Sequence, residues 1–324
     1  MTTLVTGGAG FIGSRLAQSL LDSGERVVII DNFNDFYNPA IKRSNITALR
    51  GPFELIEGDI RDVDTIQQIF RRYPIRRVAH LAAMANVRVS VNQGRLYSDV
   101  NVSASVTLMD EARKHDVEMF LLASTSSVYG NTAKIPFVET DDATFPLAPY
   151  PASKRAAELF AHSFHNLFGL NINVVRFFNV YGPHGRPDMM PLRALDAMLA
   201  DEPITVFDGG SLQRDWTYVD DIVDGVHKAL YKPMGYQVFN LGCGAPVSLN
   251  EFIRVYEGLL GRKARIQETA APLTEPRITY CDNQRARAHL GFQPKVQLPE
   301  GLARTWDWYR QQLVRKTAVV GAAR

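Results

Sequence analysis

The chain has 324 residues, 46% of them hydrophobic and 22% charged, and its 36 basic and 34 acidic side chains leave a net charge of +2. That balance excludes a polybasic nucleic-acid binder and an acidic disordered chain; two cysteines are too few for a disulfide framework. No apolar run reaches the ~18 residues of a membrane span, and a strand expected from residue 2 leaves no room for a secretion signal, which points to the reducing cytoplasm.

Short apolar runs rich in Val, Ile and Leu occupy 2–6, 26–30, 53–56, 78–81, 119–123 and 172–177. Helical patterns fill 11–22, 39–49, 64–71, 96–114 and 151–168 between them. Strands alternating with helices predict βαβ units and a parallel sheet covered on both faces. The expectation is an α/β fold with a doubly wound parallel sheet over residues 1–180. Beyond residue 183 Gly and Pro interrupt the pattern more often. Short strands at 205–207 and 237–240 and helices at 191–199, 219–230, 249–260 and 299–309 predict a smaller C-terminal α/β substrate-binding lobe over 181–316. No Ser- or Gly-rich linker intervenes, so the lobes should pack together. Residues 317–324 carry no amphipathic pattern and are expected to be an unstructured tail.

The stretch Gly7-Gly8-Ala9-Gly10-Phe11-Ile12-Gly13 follows the first strand and opens the first helix. Its glycines fit both GxGxxG and GxxGxxG, which let the backbone approach a pyrophosphate seated on the helix N-terminus. Asp31 ends the second strand, 18 residues after Gly13. A carboxylate there accepts from a ribose diol and repels a 2′-phosphate, which favours NAD over NADP. Asp59-Ile60, after the third strand, is a candidate adenine contact, with a plain helix cap as the competing reading.

Tyr150 and Lys154 stand four apart at the start of a predicted helix, hence on one face. A free Tyr has a pKa of about 10. A neighbouring ammonium favours the phenolate and makes Tyr150 a credible general base. YxxxK alone is weak. It gains weight because the fifth strand ends in Ser124-Thr125-Ser126-Ser127, at the sheet edge where ligands bind in doubly wound folds. The seven His show no metal-ligand spacing, so no metal is expected. The basic cluster at 71–77 suits a helix C-terminus rather than nucleic acid.

Together these stretches resemble the extended short-chain dehydrogenase/reductases, in particular their NAD-dependent nucleotide-sugar epimerases and dehydratases. The likeness runs through about Tyr309 and rests on TGGAGFIG, DNFN at 31–34, HLAA at 80–83, STSSVYG at 124–130, YPASK at 150–154, RFFNVYGP at 176–183 and RDWTYVDDI at 214–222. It implies a Rossmann domain, tightly held NAD, a UDP-sugar substrate under the C-terminal lobe and a homodimer built on a four-helix bundle. It also implies NAD contacts at Gly7, Gly10, Phe11, Ile12, Gly13, Asp31, Asn32, Asn34, Asp59, Ile60, Leu81, Ala82, Ala83, Asn101, Ser124, Tyr150, Lys154 and Phe177. Thr125, Tyr150 and Lys154 become the catalytic set. Ser126, Ser127, Asn179 and Arg214 fall to the substrate. Related dehydratases and decarboxylases carry acids where this chain has Ser126 and Ser127. Without those proton-transfer groups, oxidation and re-reduction at one carbon is left, which is epimerisation.

Two stretches, 31–37 and 185–190, are similar to those of UDP-glucuronate 4-epimerases. There Arg186 is the candidate for a sugar carboxylate, since a guanidinium fork matches both oxygens; Arg88 is a second cation. Many relatives place Arg or Gln three residues before an acid near 275. Here Glu275 is preceded by Pro272 at that spacing, and Arg277 is the candidate substitute. UDP and dTDP stay open. The alternatives are a UDP-glucose/UDP-galactose 4-epimerase and a non-catalytic NAD-binding protein.

Overall fold

Five of the six apolar runs expected in the first half become strands buried between two layers of helices. The computed structural model describes residues 1–272 and 274–322. In chain order the strands are β1 (Thr2–Thr6), β2 (Arg26–Asp31), β3 (Phe53–Glu57), β4 (Ile75–His80), β5 (Met119–Thr125), β6 (Ile172–Phe177), β7 (Asn179–Tyr181), β8 (Ile204–Phe207), β9 (Gln213–Tyr218), β10 (Tyr236–Leu241), β11 (Pro246–Ser248), β12 (Ile266–Thr269) and β13 (Ile278–Thr279). The helices are α1 (Phe11–Asp22), α2 (Pro39–Thr47), α3 (Val63–Arg72), α4 (Val87–Ser90), α5 (Gly94–Ser98), α6 (Ala104–Lys114), α7 (Pro149–Phe168), α8 (Met190–Ala200), α9 (Val219–Leu230), α10 (Leu249–Leu260), α11 (Gln284–Leu290) and α12 (Leu298–Ala322).

The main sheet has seven parallel strands in the order β10-β6-β5-β4-β1-β2-β3. From β1 the chain winds outward through β2 and β3, then returns to the other side of β1 as β4. The strand order therefore reverses at β1/β4, and the crevice beyond their carboxyl ends is where such sheets bind ligands. Leu16, Leu20, Val223 and Val226 of α1 and α9 cover one face. Ile66, Phe70, Leu108, Ala157 and Ala161 of α3, α6 and α7 cover the other. The expected helix at 96–114 is broken by a wide π turn over Asp99–Ser103, centred on the buried Asn101.

Two stretches expected in the smaller lobe belong elsewhere. The run at 237–240 lies within β10, which pairs with β6 along its whole length, and α9 packs on α1 under the main sheet. The apolar faces of both segments are what the sheet edge and its underside lack. The smaller lobe keeps β7, β8, β9, β11, β12 and β13 with α8, α10 and α12 around Leu195, Trp216, Phe252, Tyr256 and Leu302. Helix α12 runs on to Ala322, through most of the expected tail at 317–324; nothing in that stretch breaks a helix before Gly321. Residues 323 and 324 lie outside the described residues.

Candidate active site

The crevice at the switch point is a cleft of about 1480 Å³ between the two lobes. Its floor is the turn from β1 into α1. Gly7 sits at φ +67°, and a Cβ there would lie 2.7 Å from the Ala82 amide nitrogen, so only glycine lets β4's exit loop close against the turn. A Cβ on Gly13 would meet the Gly7 carbonyl at 2.2 Å, which fixes how closely α1 abuts the turn. Gly10 caps α1 without any side-chain acceptor, so the first-turn amides of α1 meet no capping side chain. Gly7, Gly10, Phe11, Ile12 and Gly13 all line the cleft, as do Leu81, Ala82 and Ala83 opposite them.

At the end of β2, Asp31 is nearly buried. Its carboxylate accepts from the Ala9 amide at 3.1 Å and the Phe33 amide at 2.9 Å. Lys42, also buried, lies 3.6 Å from it and donates to Asn34 at 2.8 Å. Burial pulls the Lys42 ammonium down, against the pull of Asp31 upward. Asp59 is held to about 2, first by the Arg61 fork at 3.0 and 2.7 Å; Asn32 donates to it at 2.9 Å. The cap of α3 is Asp62, so the competing helix-cap reading of Asp59 does not apply. Asn32, Asn34, Asp59 and Ile60 line the same arm of the cleft.

Tyr150 and Lys154 project from the first turns of α7 into the cleft. Burial raises the Tyr150 phenol above its ordinary value, while a hydrogen bond with Thr125 and the charge of Arg186 pull it down. Burial brings Lys154 down to about 8, opposed by Glu158. The sequence assigned the acidification of Tyr150 to Lys154 together with a nearby nicotinamide ring; within the chain itself, Thr125 and Arg186 pull the phenol down. Thr125 also caps the turn of Ser126 and Ser127, which line the cleft, by accepting from the Ser127 amide at 3.2 Å. Ser124 turns its hydroxyl away, onto fully buried Glu158 at 2.5 Å, and Arg176 grips the same carboxylate at 3.0 and 2.7 Å. Asn101, expected at the cofactor, does not line the cleft. Its amide bonds both backbone groups of Met84 and donates to Ser153 at 2.9 Å, so it props the cleft wall and the start of α7. His80 bridges Thr6 at 2.7 Å and Ser105 at 2.8 Å, and burial drives it down to about 3.

Phe177 lines the cleft from the end of β6, and Asn179, Arg186, Arg214, Arg88 and Glu275 close it from the smaller lobe and its facing loop. Glu275 ties Arg88 and Arg214 together, 2.9 Å from each. Arg186 stacks 5.1 Å over the Phe36 ring, and its Nε and one Nη hold Asp188 at 2.9 and 2.6 Å. The fork assigned to a substrate carboxylate is thus already engaged by a carboxylate of the chain. Arg277 is exposed and lies off the cleft. Its backbone carbonyl accepts from Gln213 at 2.9 Å beside β13, and that pairing turns the side chain outward. Sequence reasoning passed over Tyr37, Lys42, Asn86 and Asp188, all of which line the cleft. Tyr37 and Asp188 fall within the stretches 31–37 and 185–190 already singled out, which was a usable signal; Lys42 and Asn86 had none. Among the described residues no group of His, Cys, Asp or Glu could hold a metal ion, and no helix is long and apolar enough to cross a membrane.

A model of the NAD dependent epimerase/dehydratase family matches residues 3–242. The chain belongs to the NAD dependent epimerase/dehydratase family. A UDP-glucuronate 4-epimerase of Thermodesulfobacterium geofontis is 39% identical over 313 residues, 96% of either chain. The crystal structure of UDP-glucuronic acid 4-epimerase from Bacillus cereus, in complex with UDP-glucuronic acid and NAD, is 34% identical, with TM-score 0.90 over 96% of this chain and 100% of that one. A UDP-glucose 4-epimerase of Thermotoga maritima with UDP-glucose is 31% identical and also reaches TM-score 0.90, over 97% of this chain and 100% of that one. The epimerase/dehydratase cofactor suits the donor set here: α1 amides without a capping side chain for a pyrophosphate, and a buried carboxylate at the end of β2 for a ribose diol.

Proposed function

We propose that the protein interconverts UDP-glucuronate and UDP-galacturonate by inverting C4, with Thr125, Tyr150 and Lys154 as its catalytic set. The first-turn amides of α1 would take the cofactor's pyrophosphate, Asp31 its adenosine ribose and Lys154 its nicotinamide ribose. NAD, when bound, supplies the hydride acceptor and returns the hydride in the same turnover. Tyr150 takes the proton of the sugar 4-hydroxyl and later gives it back to the same oxygen on the other face of the ring. Thr125 holds that oxygen in line with the phenol. Arg88, Arg214 and Glu275 hold the nucleotide and Asn179 the diphosphate, while the sugar turns under Ser126 and Ser127.

One observation carries the choice of sugar: the Arg186 guanidinium stands in the same cleft as Tyr150, close enough to shift its titration. A cation there meets the carboxylate on C5 when O4 lies at the phenol. Ser126 and Ser127 offer no acid or base for removing water, which sets this chain apart from dehydratases. UDP-glucose 4-epimerisation is the second reading, favoured by Asp188, which neutralises Arg186. The functional unit is a homodimer: α7 leaves Leu159, Phe160, Leu167 and Phe168 exposed, a stripe that a second copy would cover in a four-helix bundle. Side-by-side turnover of UDP-glucuronate and UDP-glucose tests the sugar. A higher kcat/KM for UDP-glucuronate is expected, and a preference for UDP-glucose overturns the reading.

A further inference from the structure

Arg186 and Asp188 form a closed pair. Both carboxylate oxygens of Asp188 are engaged by the guanidinium, at 2.9 and 2.6 Å, and the pair is about four-fifths shielded from water on the arginine side. Asp188 is not left to swing. The Asn86 side-chain amide donates to it at 3.1 Å from across the cleft. Asn86 is itself fixed: it sits at φ +102°, a region few side chains other than glycine adopt, and its carbonyl oxygen accepts the amides of Arg88 and Val89. The Phe36 ring lies under the guanidinium, so Arg186 is held on one edge and one face.

This arrangement has a cost for an anionic sugar. A guanidinium presents five N–H donors, and its best edge for a carboxylate is the one Asp188 holds. A uronate arriving at the remaining Nη edge meets a cation already compensated by a carboxylate.

We infer that Asp188 is a resident competitor for Arg186, which weakens the hold on the sugar carboxylate and thereby narrows the preference for uronate over neutral sugars. The inference rests on the proposed reading of the cleft as a UDP-sugar 4-epimerase site in which Arg186 faces the C5 carboxylate. The loosened grip suits the chemistry, because the 4-keto sugar must leave one orientation and take up the other within the same cleft. A clamp with its full charge would hold the carboxylate in place and resist that turn.

The test uses the NAD-loaded protein and the variants Asp188→Asn and Asp188→Ser, with Kd for UDP-glucuronate and for UDP-glucose measured by calorimetry. Asparagine keeps the shape and removes the charge; serine repeats the comparison should the first variant not fold. A charge-assisted hydrogen bond freed for the ligand, discounted for partial exposure, should tighten UDP-glucuronate by about five-fold relative to UDP-glucose. A merely structural role for Asp188 moves both ligands alike. An unchanged Kd ratio, or one that shifts toward UDP-glucose, overturns the inference. Wild-type protein that epimerises UDP-glucose but not UDP-glucuronate overturns the underlying reading instead, so the two failures are told apart.

Discussion

His80 offers a stability test that owes nothing to substrate. The ring is fully buried between Thr6 and Ser105, and burial first, then Lys154, lowers it from 6.5 to about 3. In the unfolded chain the same imidazole titrates near its ordinary value of about 6.5. As pH falls below that value the unfolded state binds a proton that the folded state refuses until about pH 3. Stability is therefore complete above the unfolded value and drains away as the pH falls between the two. The full gap is worth roughly 5 kcal/mol, of which about 2 kcal/mol is lost by about pH 5. Other groups titrate in the same window, so the measurement is a difference. Urea unfolding of wild type and His80→Gln is followed at about pH 7.5 and about pH 5. At the higher pH the variant should be less stable by about 1–3 kcal/mol, the cost of a disturbed buried hydrogen bond. At the lower pH the gap should shrink by about 2 kcal/mol, because glutamine has no proton to take up. A gap that stays constant with pH would refute the buried, neutral His80.

Tyr150→Phe removes one hydroxyl and leaves the ring; epimerisation should fall by about 10²–10⁴-fold while the protein still purifies with its dinucleotide, and near-normal turnover removes Tyr150 from the mechanism. Dinucleotide released by denaturing the purified protein should be NAD by mass spectrometry, since Asp31 repels a 2′-phosphate; mainly NADP would mean that Lys42, 3.6 Å away, governs the site instead. Arg186→Ala should weaken UDP-glucuronate by about ten-fold, the loss of a charged hydrogen bond, and leave UDP-glucose nearly unmoved. The same variant should release CO₂, because C4 oxidation of a uronate makes a β-keto acid whose C5–carboxylate bond is then free to leave the carbonyl plane; equal losses for both sugars would remove Arg186 as the carboxylate anchor.

The parts of this protein legible in the sequence are those whose cause is local. Gly7 is required by its positive φ and Gly13 by a backbone approach within the same turn, and β1, β6 and the helices α1, α9 and α10 end where their caps and apolar runs end. Pairing is not local. The apolar run of β10 reads the same whether it joins the main sheet or a smaller one, and only its register with β6 decides. The site divides in the same way. Tyr150, Lys154 and Thr125 were visible because a helix spacing and a strand end place them. Arg186 was visible, and Asp188, two residues on, lay within reach of the same reading; the Asn86 that holds Asp188 was not, because that contact is made across the cleft. Arg277 was misread because the Pro272–Glu275 spacing suggested a missing cation, while the pairing of β13 with β9 decides which way that side chain faces. Asn101 supports the cleft instead of lining it, because a π turn sends its amide to the backbone of Met84.

In the proposed reaction the hydrogen leaves C4 and returns to C4 within one cleft. UDP-glucuronate carrying deuterium at C4, incubated with the protein in ordinary water, tests it by NMR of the product. UDP-galacturonate that keeps the deuterium at C4 is expected. Product carrying solvent hydrogen at C4, or no inversion at that carbon, would contradict it.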